Sequence, residues 1–373
     1  MQRALLKFTC LGLLIGLPAI APAQVTGTDN IATRVAELTR RLNAKPVDSA
    51  AVEESSLFGI ELLAAARFAD AVQLFAVIRQ VEPDNRSGFY GGALALFNLG
   101  RANEAEPLAR AAVEKAQAFA KKAGGQIHVT TTKDFGNEAD ALVLLGVVLA
   151  VKGDEAGALA AVKHAVAVAP GNFDAQFALG RALYGAGDPT GAARAFRIAL
   201  GLKPQDPQAQ FFLASALERA GDDEGAIAAY RKLIAVAPGR AEGHLGVGVL
   251  LVKRSADALS EGIRELQNAL AIDGSLYEGQ VALGRALIRA GRVAESVAPL
   301  KRAAELAPDN PEPHYQLAIA YRRLGQKDAA DAETAIVKKI HAARRTSSVA
   351  RSEEGTAVVS KDQHKFQNAA AHE

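Results

Sequence analysis

The sequence predicts an all-α fold, an α-solenoid of about eight helix-turn-helix units preceded by a leader and an N-terminal helix. Three observations carry this. Pro170, Pro204 and Pro238 recur at a 34-residue step, and so do Gly153, Gly187 and Gly221. Ala158, Ala192 and Ala226 keep the same step, as do Leu145, Leu179 and Leu213. Between these markers lie two short amphipathic runs, with no alternating stretch of the kind that makes a strand.

The chain has 373 residues, 43 basic against 41 acidic, 33 glycines, one cysteine and no tryptophan. Near-neutral charge argues against nucleic-acid binding, which needs a strongly basic face. The first 23 residues read as a secretory signal peptide: Arg3 and Lys7, an apolar run from Phe8 to Ile20, then the small residues Ala21-Pro22-Ala23. Pro18 interrupts the run, which makes a spanning helix the weaker reading; the alternative to cleavage is an uncleaved N-terminal anchor. Cys10 falls inside this leader, so the exported chain would carry no thiol for disulfide, zinc or nucleophilic chemistry. No membrane span is expected after cleavage, and export points to a periplasmic or secreted location.

After the leader, residues 24-51 form a cap: Ile31, Val35, Leu38 and Leu42 make one helical stripe behind Asp29-Asn30, which reads as a capping pair. The repeat unit pairs a helix near Phe173 to Gly185 with another near Thr190 to Leu202. Its glycine ends the first helix in a left-handed turn. The aspartate that follows, Asp154, Asp188 or Asp222, suits the cap of the second. Alanines early in the second helix let the two axes approach, and the final proline stops it.

With Leu179-Gly180, Gly187-Asp188, Ala192, Phe196, Ala199 and Pro204 in one unit, the chain resembles the tetratricopeptide repeat (TPR) family. Units are placed at 52-85, 86-119, 139-172, 173-206, 207-240, 241-276, 277-310 and 311-344, so the array spans 52-344. Residues 120-138 are an insertion and 345-373 a disordered tail. The sixth unit has two extra residues near Ser255 and Gly274 in place of proline. The first has Ala66 in place of the turn glycine, and the last has Thr334 where a large apolar residue is usual.

The resemblance implies a right-handed α-solenoid with a concave groove lined by the first helix of each unit, with named positions facing a protein or peptide partner. The fifth gives Tyr90, Val143, Phe177, Phe211 and Tyr315; the ninth Leu94, Val147, Arg181 and Arg285; the twelfth Phe97, Tyr184 and Arg322, followed by Arg289. This surface is apolar and aromatic toward the N-terminus and rich in arginine toward the C-terminus. It suits an apolar segment with acidic groups at the arginine end, unless residues 28-50 or 120-138 cover it. A lysine and asparagine carboxylate clamp, as in the chaperone-tail binders of the family, is not supported by the apolar fifth position.

No catalytic constellation, metal site or cofactor is expected. None of the seven histidines pairs with another at ligand spacing, and His244 and His314 share one repeat position, which reads as packing. Gly246-Val247-Gly248 lies inside a helix pattern, which excludes a phosphate loop. His128, Thr130 to Thr132 and Asp134 make the insertion the one place for other chemistry, and a covering loop is the plainer reading. The function expected is therefore a non-catalytic interaction scaffold of the bacterial cell envelope. The alternatives are an envelope-assembly factor for pilus, outer-membrane or polysaccharide machinery, or an enzyme's accessory subunit.

Overall fold

A computed structural model describes residues 28–46, 48–122 and 135–346, and every described regular element is a helix. The leader, most of the insertion and residues 347–373 of the predicted tail lie outside the described residues. The chain divides into two compact units, one up to Asp222 and one from Asp223. That boundary separates the two helices of the fifth predicted repeat, a division the periodicity does not reveal.

In the first unit, α1 (Thr28–Leu42) packs on the hairpin of α2 (Ser49–Ala64) and α3 (Phe68–Val81). Helix α1 already begins at Thr28, so Asp29 and Asn30 stand in its first turn instead of before it. Its stripe of Ile31, Val35, Leu38 and Leu42 is buried. Three hairpins follow: α4 (Arg86–Asn98) with α5 (Ala102–Lys122), α6 (Glu138–Val151) with α7 (Glu155–Val168), and α8 (Phe173–Gly185) with α9 (Pro189–Leu202). Helix α10 (Pro207–Arg219) packs on α9. Helix α5 runs three residues into the predicted insertion, and Phe135 to Asn137 lead out of it into α6.

The second unit holds α11 (Asp223–Val236), α12 (Ala241–Arg254), α13 (Leu259–Ile272), α14 (Tyr277–Arg289), α15 (Val293–Leu306) and α16 (Pro311–Arg323), each packed on the next. A last helix, α17, covers 327–346, so residues 345 and 346 of the predicted tail are helical.

Local chemistry accounts for the hairpins. At the α8–α9 turn Gly187 has φ +82°, and the Asp188 amide donates to Leu183 O at 2.9 Å, closing the helix end. The Asp188 carboxylate then accepts from the Gly191 amide at 2.7 Å, capping α9. Where the turn ends in arginine, the acid three residues on pairs with it instead, as in Arg101–Glu104 and Arg292–Glu295. Ala66 occupies the left-handed position of the first turn at φ +57°, the one described non-glycine residue to do so. Between the helices, a Cβ at Gly180 would stand 2.6 Å from the Phe196 ring, so this glycine lets α8 and α9 close around a large side chain.

Candidate functional site

The groove positions fare differently in each hairpin. Tyr90, Leu94, Phe97, Val143 and Phe177 are buried and belong to the core, which corrects their assignment to a partner surface. For Tyr90 the cause is the segment leaving the insertion. The Phe135 ring meets it edge-on with centroids 4.9 Å apart, and Ser87 Oγ donates to Phe135 O at 3.4 Å. Leu94, Phe97 and Val143 join the same continuous apolar cluster. Phe177 is the centre of a phenylalanine cluster, 5.8 Å from Phe173, 5.7 Å from Phe196 and 5.6 Å from Phe212. Val147 is half-buried at the edge of the core.

Three further positions of the first unit keep part of their surface: Arg181, Tyr184 and Phe211 are all half-buried. Arg181 lies 5.8 Å over the Phe212 ring, and Arg219 lies 4.9 Å over Tyr184. In the second unit Arg285, Arg289, Tyr315 and Arg322 are exposed, Tyr315 by 57%. Tyr315 borders an open depression of about 320 Å³ with Pro311, Glu312 and Gln316 of α16 and Val337 and His341 of α17.

The arginines already have intramolecular partners. Arg285 Nη1 stands 3.3 Å from Glu312 Oε1, and Arg322 Nη2 donates to Thr334 Oγ1 at 3.0 Å. Arg289 Nη1 donates to Val252 O and Arg323 Nη1 to Ile288 O, while in the first unit Arg219 Nη1 donates to Tyr184 O. All three acceptors lie in the last turns of the preceding hairpin's first helix, where carbonyls lack helical partners and the dipole favours a cation. Arg289 is thus a staple between neighbouring hairpins, a role its sequence position does not announce.

Sequence reasoning missed a buried polar cluster behind the insertion. Asp140, in the first turn of α6, accepts from Asn137 Nδ2 at 2.8 Å and Asn172 Nδ2 at 3.3 Å. Burial, and then the Asp174 charge, raise its pKa to about 7 against the two amide hydrogen bonds and Arg86. Burial also holds Tyr90 well above the usual phenol range, with Asp140 and Asp174 adding to the shift. His244 and His314 pair in the same way: Nδ1 stands 2.6 Å from Glu265 Oε2 and from Glu333 Oε2 respectively. Among the described residues no group of three or more His, Cys, Asp or Glu side chains could hold a metal ion. Gly246 and Gly248 lie within α12.

Two family descriptions match the sequence: "Tetratricopeptide repeat" over residues 57–120 and 177–242, and "TPR repeat" over 284–325. No curated protein matches it. Among solved structures, the C-terminal part of a TPR repeat-containing protein from Cytophaga hutchinsonii is 14% identical, covers 70% of this chain and 99% of its own, and superposes with a TM-score of 0.54. PilF of Pseudomonas aeruginosa is 15% identical over 54% of this chain and 91% of its own, at 0.47. YrrB, described as a TPR protein with an unusual peptide-binding site, is 15% identical over 48% and 91%, at 0.42. The first of these shares the fold. With both repeat descriptions matched and helical hairpins packed in sequence order within each unit, the chain is a tetratricopeptide repeat protein.

Proposed function

We propose that this protein is a non-catalytic interaction scaffold of the bacterial cell envelope, which seats a segment of a protein partner on the exposed first-helix surface of its second unit. The tetratricopeptide repeat is an interaction fold, and a preformed surface limits the ordering cost of association. The observation that carries the reading is Tyr315. A large aromatic side chain at a groove position is more than half exposed beside an open depression, with Arg285 and Arg322 exposed nearby. Aromatic and arginine side chains are the usual anchors of protein interfaces. The partner segment suited to them carries an apolar side chain for Tyr315 and an acidic group to compete with Glu312 for Arg285. Export rests on the leader pattern of residues 1-23.

Site-specific photo-crosslinking tests this. A photoreactive phenylalanine analogue at position 315 should give a discrete adduct with one envelope protein, and the same analogue at position 302 on α15 should give none. Identical adduct patterns from both positions, or no adduct from position 315, would overturn the assignment.

A further inference from the structure

Helix α9 has an unusual second face. Its buried side holds Ala192, Ala195, Phe196 and Ala199. Its other side presents Arg194, Arg197, Ile198, Gly201 and Leu202 at helical spacing, all exposed, with Ile198 at 51%. Between Pro189 and Leu202 there is no acidic residue. Among the described arginines only Arg40, Arg194 and Arg197 have no side-chain partner among the described residues, and two of these three lie one turn apart here. Lys163 of α7 stands at the repeat position of Arg197 and is likewise exposed and unpaired among the described residues. Lys203 extends the cationic edge, with its Nζ 4.2 Å over the Phe173 ring. Asp188, just before α9, is engaged with the Gly191 amide, and Glu138 of α6 with His164 at 3.7 Å and Gln117 at 3.0 Å.

We propose that this face of α9, flanked by Lys163 and Lys203, docks on an anionic lipid surface, with Ile198 and Leu202 entering the headgroup layer between the cations. The proposal uses none of the groove residues and stands apart from the partner reading above. Lipid is favoured over an acidic protein by what the face lacks. It has no aromatic side chain and, beyond Thr190 at its start, no hydroxyl or amide. Protein interfaces draw on directed hydrogen bonds, for which this face offers few groups, whereas a headgroup layer is met by charge and apolar area without them. Cations left unpaired also lose no internal ion pair on reaching the surface.

The test is co-sedimentation of the full chain with phosphatidylglycerol–phosphatidylcholine vesicles, with pure phosphatidylcholine vesicles and with polyglutamate beads. Binding to the anionic vesicles should be strong at low salt and fall at high salt. The R194Q/R197Q variant should bind roughly 30-fold more weakly, at about one cation's attraction per residue. Ile198→Ala should weaken binding with the salt response retained, and Arg302→Gln, which breaks an existing pair with Glu305, should leave binding unchanged. Arg194 and Arg197 make no side-chain pair among the described residues, Ile198 is half exposed and the Arg302 pair is on the surface, so circular dichroism should show all variants folded. Equal binding to neutral and anionic vesicles, undiminished binding by R194Q/R197Q, or retention on polyglutamate without vesicle binding would each overturn the proposal, the last in favour of an acidic protein.

Discussion

Replacing Asp140 by asparagine should stabilise the protein above neutral pH and destabilise it slightly in acid. The buried carboxyl has its pKa raised from 3.8 to about 7, so the folded chain holds a proton that the unfolded chain releases. Its contribution is therefore greatest below about pH 4, falls as pH rises between the two values, and is gone above about pH 7. A shift of about 3 units at about 1.4 kcal/mol per unit gives about 4 kcal/mol across that window. Asparagine copies the protonated acid with one acceptor and one donor, and forfeits one of the two amide hydrogen bonds, at about 1 kcal/mol. The variant should then exceed the wild type by about 3 kcal/mol at pH 8 and trail it by about 1 kcal/mol at pH 4. Urea unfolding followed by circular dichroism at several pH values measures this, and the difference between the two chains cancels every other titrating group. A difference that stays constant from pH 4 to pH 8 would show that Asp140 is ionised throughout.

Three other substitutions, with one control, probe the hairpins and the groove. Ala66→Gly should raise stability by about 1 kcal/mol, since glycine removes the cost of a left-handed alanine and returns part of it as unfolded-state entropy; thermal unfolding reads it. Phe177→Ala should cost about 3 kcal/mol by emptying the phenylalanine cluster, measured as a lower urea midpoint, where a partner-facing residue would leave stability unchanged. His314→Ala should cost about 1–2 kcal/mol by leaving the largely buried Glu333 carboxylate without its imidazole, again by urea unfolding, with a smaller loss expected for Lys327→Ala on the exposed start of α17.

The hairpins were legible because their markers are local. Gly187, Asp188 and Ala192 each do their work within one turn or one helix pair, so a fixed spacing in sequence becomes a fixed geometry in space. The groove was less legible, because an apolar residue at a groove position reads the same whether it faces solvent or core. Only the fold shows that Phe177 is ringed by Phe173, Phe196 and Phe212. The shared repeat position of His244 and His314 was visible, but Glu265 and Glu333 lie on the following helix at spacings that no local pattern links to a histidine. Asp140 stood in a first turn, where an acid is ordinary, and its burial comes from Asn137, Asn172 and the segment leaving the insertion.

Tyr90 and Tyr315 make the point sharpest, since they are the same residue type at the same repeat position. Tyr90 is fully buried, with the Phe135 ring against it and Gly136 so close that a Cβ there would stand 2.6 Å from the tyrosine. Among the described residues no inserted segment crosses Tyr315, which lies open beside α17. A repeat fixes where a side chain is aimed and leaves its exposure to whatever chain crosses it, so an insertion can remove a hairpin from the binding surface without altering the hairpin's own sequence. That is why the proposed partner surface rests on Arg285 of α14 and Tyr315 and Arg322 of α16, which meet solvent, although the aromatic residues are denser in the first unit.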